Sequence, residues 1–382
     1  MENNNKDISL YIHIPFCISK CTYCDFFSIP TGCHEQAVAQ DYADALCNEI
    51  RFRINQYGAK SIKTVYIGGG TPSLLSCSQI SQIANVIKET GLCSEYEFTF
   101  EVNPDDVSKS LLVCLEENGV NRISCGIQSF SQDVLKSVHR RANSVQNYSC
   151  FDDFKAFFKG KISADLICGL PGETEKSFID GLKFLILKNI PHISMYSLCV
   201  EDETPLGDAI NSGRQNYDVD FSDELWIKGR DLLLENGYVQ YEVSNFCLPQ
   251  NECLHNMAYW THKNYIGCGS GATGTVENVR YTNSKDIQNY IAFWNQDEKL
   301  PDNIPQTVEK ISQQTAQFEY FMMGLRTVRG VSPEEYEQIF TEKISPEILK
   351  KLEMNCKKSS QGFYFLDKDK LLFLNSFLED LM

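Results

Sequence analysis

Along the first half of the chain, short runs rich in β-branched and aromatic residues alternate with longer segments whose apolar residues recur at helical spacing. Leu10 to Ile14 precedes a helix-like stretch at Tyr42 to Tyr57, and Thr64 to Ile67 precedes another at Ser78 to Glu89. Glu97 to Val102 precedes Ser108 to Glu117. Arg122 to Ile127, Ser163 to Ile167 and Ile193 to Leu198 continue the strands, with helix patterns at Val145 to Phe158 and Phe178 to Leu187. Six strands separated by helices read as βα units on a parallel sheet. An α/β fold built on an incomplete TIM-like (β/α)6 barrel leads, and a doubly wound open sheet is the alternative. In both, ligands gather at the C-terminal ends of the strands.

The rhythm changes near Phe221. A helix-like Asp223 to Glu235 leads into Gly237 to Asn283, which holds too many small residues for a regular helix. Pro301 to Pro305 reads as a linker. Helices follow at Thr315 to Arg326, Pro333 to Phe340 and Glu347 to Lys357, then a hairpin of Gly362 to Leu366 with Lys370 to Leu374. The division expected is a partial barrel over 1–220, a Gly- and aromatic-rich extension over 221–300 and a helical, winged-helix-like appendage over 301–382.

Composition narrows the chemistry. With 382 residues and 42% apolar content the chain can bury a substantial core. A net charge of −16 leaves no surplus of Lys and Arg for neutralising phosphates, so nucleic acid is not an expected partner. The polar start, Met1 to Asp7, is unlike a signal peptide, and no run of about 18 apolar residues suggests a transmembrane span. Most of the 16 cysteines stand singly in strand-like or helix-like stretches, which fits a reduced, cytoplasmic setting.

Cys17, Cys21 and Cys24 are the exception, three thiols within eight residues just beyond the first strand. Soft sulfur ligands select iron–sulfur clusters or zinc. Zinc would want a fourth ligand, for which Cys33, His34 and His13 are at hand, and a purely structural trio is the plain reading. Gly68-Gly69-Gly70-Thr71-Pro72 ends the second strand, where glycines let a backbone approach a ligand closely.

Cys-x-x-x-Cys-x-x-Cys with an aromatic, here Tyr23, before the third cysteine resembles the signature of the radical S-adenosylmethionine (SAM) superfamily. The resemblance implies a 4Fe–4S cluster with three protein-ligated irons and a fourth open to SAM, whose S–C5′ bond is cleaved reductively to a 5′-deoxyadenosyl radical. Tyr11 to Cys17, Gly68 to Ser73, Glu101 to Pro104, Arg122 to Phe130 and Asp165 to Gly172 are similar to the oxygen-independent coproporphyrinogen III oxidase group. Cys24-Asp25-Phe26, Gln240 to Phe246 and His255 to Trp260 resemble its haem-chaperone subgroup. Carried over by motif, Tyr11, Gly69, Gly70, Thr71, Glu101, Gln128, Arg140 and Asp165 match the family's SAM contacts.

Two departures from the decarboxylating oxidase stand out: Phe26 where that enzyme has a fourth cysteine, and only 16 residues before Cys17. A departure from the chaperone subgroup is Thr273, where its Gly-rich segment carries a histidine. The His-Asn-x-x-Tyr-Trp motif, associated with haem in the family, makes His255 the leading haem-ligand candidate. A buried packing histidine is the plain alternative, with Cys253, Met257, His262, Tyr265 and Cys268 the other residues to consider. The resemblance thus implies a haem-trafficking protein with an acceptor protein, a low-potential electron donor and room for a transient membrane or respiratory-chain contact. A coproporphyrinogen III decarboxylase is the second class, and a radical-SAM enzyme for another substrate the third.

Overall fold

The computed structural model describes residues 7–32, 39–297 and 301–381; Cys33 and His34 lie outside them. Its centre is a twelve-stranded sheet. Six strands form the parallel part: β1 (Asp7–Ile14), β2 (Ser61–Gly69), β3 (Leu92–Val102), β4 (Arg122–Gln128), β5 (Lys161–Cys168) and β6 (His192–Ser197). They lie side by side in chain order, each parallel to the next. A doubly wound sheet reverses its progression at a switch point, whereas this one winds a single way, as a barrel does. Helices α1 (Gln40–Tyr57), α2 (Cys77–Thr90), α3 (Lys109–Glu117), α4 (Ser144–Phe157) and α5 (Glu175–Leu187) lie on the crossovers.

The barrel is incomplete because β1 and β6 do not meet. Segment 237–283 instead supplies strands to both open edges. β7 (Val239–Gln240) and β8 (Asn245–Cys247) extend the β6 edge antiparallel. β9 (Tyr265–Cys268) pairs in parallel with β1, and β10 (Thr273–Val276), β11 (Val279–Asn283) and β12 (Gln306–Lys310) follow antiparallel.

Strand periodicity explains both the core and the site. Leu10, Ile12 and Ile14 on β1, with Phe98 and Phe100 on β3, join Leu46, Ile50, Ile83 and Ile87 of α1 and α2 in one apolar core. The alternating positions are polar: Tyr11 and His13, Tyr66, Thr99 and Glu101, Arg122 and Ser124, Ser163 and Asp165, His192 and Ser194. A closed TIM barrel fills its interior with branched apolar side chains. Polar residues in those places keep the centre open for a ligand.

A second apolar core runs from Ile311 to Leu381. Helices Gln313–Gly324, Pro333–Phe340 and Pro346–Asn355 build it with a two-residue pairing of Lys357–Lys358 and Tyr364–Phe365. The hairpin expected between Gly362 to Leu366 and Lys370 to Leu374 is not formed. Lys370–Phe373 is a 3-10 turn and Leu374–Leu381 an α-helix. Leu371, Leu374, Leu378 and Leu381 are all buried, a spacing of three and four that helical geometry places on one face. The real hairpin begins five residues earlier, at Lys357.

Candidate functional site

The loop after β1 carries the three cysteines and is fastened at both ends. Phe16–Cys17 pairs with Ile29–Pro30, and the Thr31 and Gly32 amides donate to the Cys17 and Ile18 carbonyls at 2.7 and 3.1 Å. In its middle, the Thr22 amide donates to the Val138 carbonyl and the Leu206 amide donates to Thr22. Cys17, Cys21 and Cys24 line one cavity of about 400 Å³ within the barrel mouth. The Thr71 hydroxyl donates to Cys17 Sγ at 3.4 Å, and Arg140 Nη1 approaches Cys21 Sγ at 3.7 Å. Burial pushes the Cys24 thiol up to about 11. Among the described residues, no three His, Cys, Asp or Glu side chains converge on a point where a single ion would sit. Zinc needs its ligands about 2.3 Å from one centre, whereas thiolates on a cuboidal cluster each hold a different iron. Sulfurs spread around a cavity suit the cluster.

Tyr23, Gly69, Gly70, Thr71, Glu101, Gln128, Arg140 and Asp165 line the same cavity. Gly69, Gly70, Thr71, Glu101, Gln128 and Asp165 sit at or near the C-terminal ends of strands, whereas Tyr23 is on the cysteine loop and Arg140 lies beyond the short helix Gln132–Ser137 that follows β4. Glu101 accepts from the Tyr66 hydroxyl at 2.7 Å and from the Gly69 amide at 3.2 Å. Burial, reinforced by Asp165, still raises its carboxyl to about 7. Asp165 accepts from Ser124 and Ser194 at 2.7 Å and from Ser163 at 3.2 Å. Burial lifts this carboxyl above its usual range, and the three hydroxyls pull the other way. Arg140 Nη2 donates to Asn103 Oδ1 at 2.7 Å and to the Gly126 carbonyl at 2.5 Å, while its Nε is buried without a partner.

Backbone shape contributes as much as side chains. Gly70 has no space for a side chain: a Cβ there would lie 2.7 and 2.9 Å from the Phe16 and Ile14 carbonyl oxygens. Gly69 has φ +117°, open only to glycine at low cost. Gln128 takes φ +65° at a register shift in the β4–β5 pairing, a conformation that costs about 1 kcal/mol or more outside glycine. The strand thereby ends in a kink at the cavity wall. An uncommitted guanidinium nitrogen, two buried carboxyls and a glycine wall suit a ligand with ammonium, carboxylate and hydroxyl groups, as SAM has.

Of the residues singled out for SAM, only Tyr11 falls outside this cavity. It faces a broader neighbouring cleft of about 990 Å³, and Gly69 and Glu101 front both. The Tyr11 hydroxyl donates to His13 Nδ1 at 2.8 Å, because His13 Nε2 must donate to the Phe27 carbonyl at 2.9 Å. The cleft also takes in Tyr259, Trp260, His262, Tyr265 and Thr273. His255 lines neither cavity. Thr64 gives its hydroxyl proton to Ser9, so His255 Nδ1 donates to Thr64 and Nε2 accepts from Tyr259, both at 2.8 Å. Burial lowers this imidazole to about 3 and keeps it neutral. Cys253 and Cys268 are buried too, and Cys253 donates to Glu97. The motifs single out Glu101, Asp165 and Arg140 but not the partners Tyr66, Asn103, Ser124 and Ser194 that hold their carboxylates and guanidinium. Their signal was present as polar residues in alternation with the apolar face of each strand.

The single-wound open barrel and its cysteine loop define the class, and residues 11–185 match the model of the Radical SAM superfamily. The chain is 36% identical to the heme chaperone HemW of Lactococcus lactis, over 88% of this chain and 86% of that protein. It is 30% identical to the heme chaperone HemW of Escherichia coli, over 97% of both. It belongs to the HemW family. The coproporphyrinogen III oxidase HemN of Escherichia coli, described as a radical SAM enzyme, shares the fold with a TM-score of 0.82 at 20% identity, covering 98% of this chain and 90% of that one. Among the described residues no helix is long and apolar enough to cross a membrane.

Proposed function

We propose that this chain is a haem chaperone on a radical-SAM scaffold, working in the cytoplasm and passing haem to an acceptor protein. The observation that carries the reading is the pair of adjoining cavities, a compact one ringed by three thiols and a wide one beside it, in a chain that matches proteins named heme chaperones over most of its length. Cys17, Cys21 and Cys24 would hold the 4Fe–4S cluster. Gly69, Gly70, Thr71, Glu101, Gln128, Arg140 and Asp165 would hold SAM, with Tyr23 packed beside Cys21 and Tyr11 closing the wall towards the wide cleft.

A cluster held by Cys17, Cys21 and Cys24 would, once reduced by a low-potential donor, supply one-electron reducing chemistry to SAM. The protein's part is to orient that ligand. Arg140 offers a charged partner for a carboxylate, Glu101 and Asp165 accept from hydroxyl or ammonium groups, and the glycines let backbone come close. Phe26 occupies the position of the decarboxylase's fourth cysteine and is 64% exposed at the boundary of both cavities. An exposed phenyl ring there favours contact with a flat apolar cargo or with a docking partner. A respiratory-chain protein at the membrane surface is one such acceptor.

The test is anaerobic. Protein with a reconstituted cluster is titrated with haem and followed by absorbance, then given coproporphyrinogen, SAM and a low-potential reductant. Tight haem uptake without decarboxylation is expected. Conversion of coproporphyrinogen, or no haem uptake at micromolar concentration, overturns the reading.

A further inference from the structure

Five of the six histidines lie in the described part, and their ring nitrogens divide them. His13 is used at both nitrogens, by Tyr11 and Phe27. His192 is held by Ser163 at 2.6 Å and Tyr241 at 2.8 Å. His255 is held by Thr64 and Tyr259. His139 is exposed and borders neither cavity. His262 alone among them lines the wide cleft with neither ring nitrogen hydrogen-bonded to a described residue. It stands one residue beyond Thr261, which caps the helix ending at Trp260, at φ +57°. Burial lowers its pKa, against the nearby Glu319 and with help from Arg280, which favours the neutral ring over the imidazolium.

The rest of the cleft has a matching character. Phe27, Tyr259, Trp260 and Tyr265 provide flat surfaces. Lys263 and Lys285 are exposed at its margin, and neither makes an ion pair with a described residue. Arg280 is different, because Glu319 already clamps it through two 2.8 Å contacts. The cleft's inner carboxyls, Glu101 and Glu242, are both raised to about 7 by burial, which reduces their repulsion of an anionic guest.

We infer that the wide cleft seats an iron porphyrin, with His262 as an axial ligand and Lys263 and Lys285 pairing with the carboxylates at the ring edge. The inference rests on the haem-chaperone reading and gives it a location. His255 is then a positioning residue. Its Nε2 fixes the Tyr259 hydroxyl, and so sets the wall against which the porphyrin lies.

The experiment titrates the full, cluster-loaded chain with hemin and separately with metal-free protoporphyrin, reading the Soret band, the electron paramagnetic resonance spectrum and the melting temperature. His262→Ala should abolish the nitrogen-ligated iron signature and weaken hemin binding about tenfold or more, leaving protoporphyrin affinity unchanged. His255→Gln should keep that signature. Lys263→Glu with Lys285→Glu should weaken both porphyrins about tenfold without altering the iron spectrum. A wild-type spectrum in His262→Ala overturns the assignment, as does loss of the signature in a His255→Gln protein of unchanged melting temperature. Wild-type protein that takes up neither porphyrin removes the chaperone reading and this site with it. Uptake of both porphyrins with no effect of His262→Ala removes the site alone.

Discussion

The two adjoining cavities are built to opposite plans. The cysteine cavity is walled by strand ends whose side chains are already fixed: three serines on Asp165, Tyr66 and a backbone amide on Glu101, Asn103 and a carbonyl on Arg140. The wide cleft is framed largely by segment 237–283 and by Glu319 and Met323 of the C-terminal unit, with two lysines that make no ion pair and a histidine with no hydrogen bond to a described residue. A group that stays through many cycles gains from a rigid, prearranged shell, because ordering is not repeated at each binding event. A cargo that must leave gains from an open wall with groups that can also release it. On the proposed function, the difference separates a resident site from a transit site.

The comparison can be broken most decisively at the cysteines. Cys17→Ser, Cys21→Ser and Cys24→Ser should each abolish the brown chromophore and most of the bound iron, read by absorbance and iron analysis. Cys168→Ala should retain both, since Cys168 is fully buried on the outer face of β5 beside the Ser222 carbonyl. A stable cluster in the triple serine variant would sink the ligand assignment.

Next in size is Gly70→Ala, which forces a methyl group against two carbonyl oxygens. We expect a loss of roughly 1–3 kcal/mol in stability, measured by denaturant melting, together with lost SAM binding. An unaltered melt would mean that the loop yields more readily than its clasp suggests. Asp165→Asn sharpens the contrast, since Asp165 fronts the cysteine cavity and not the cleft. SAM affinity by calorimetry should fall about tenfold while hemin affinity stays constant. Equal losses in both would dissolve the distinction.

The smallest effect is on pH dependence. Glu101 is raised from 4.5 to about 7 in the folded protein. Below about 4.5 it is protonated whether folded or not. Between these values the unfolded chain releases the proton and the folded chain holds it, so stability falls as pH rises, and levels off above about 7. The melting temperature of wild type minus that of Glu101→Gln should decline across this window. A difference independent of pH would contradict the raised carboxyl.

Much of this was legible in the sequence, and the reasons differ by region. The six parallel strands and their helices are local patterns, and the cysteine loop and Gly68 to Pro72 are contiguous motifs, so neighbours along the chain carried the information. Strand β9 was not readable as a barrel edge, because its partner Ser9 to Ile12 lies some 250 residues away and Tyr265-Ile-Gly-Cys268 is short and contains glycine. The 3-10 turn at Lys370–Phe373 reads as a strand because Leu371-Leu-Phe-Leu374 is continuously apolar, and only burial separates the inward Leu371 and Leu374 from the exposed Leu372 and Phe373. The motif histidine was recognised, but nothing local reveals that Thr64 and Tyr259 occupy both its nitrogens.

The clasp on the cysteine loop has a consequence for the life of the protein. Backbone bonds from Ile29, Thr31 and Gly32 to the Pro15, Cys17 and Ile18 carbonyls fasten the loop through main-chain atoms. On the proposed ligand assignment, a molecule that had lost its cluster would keep its thiols gathered at the barrel mouth. Repair is then a matter of delivery to a folded client, with no need for the chain to be unmade and synthesised again.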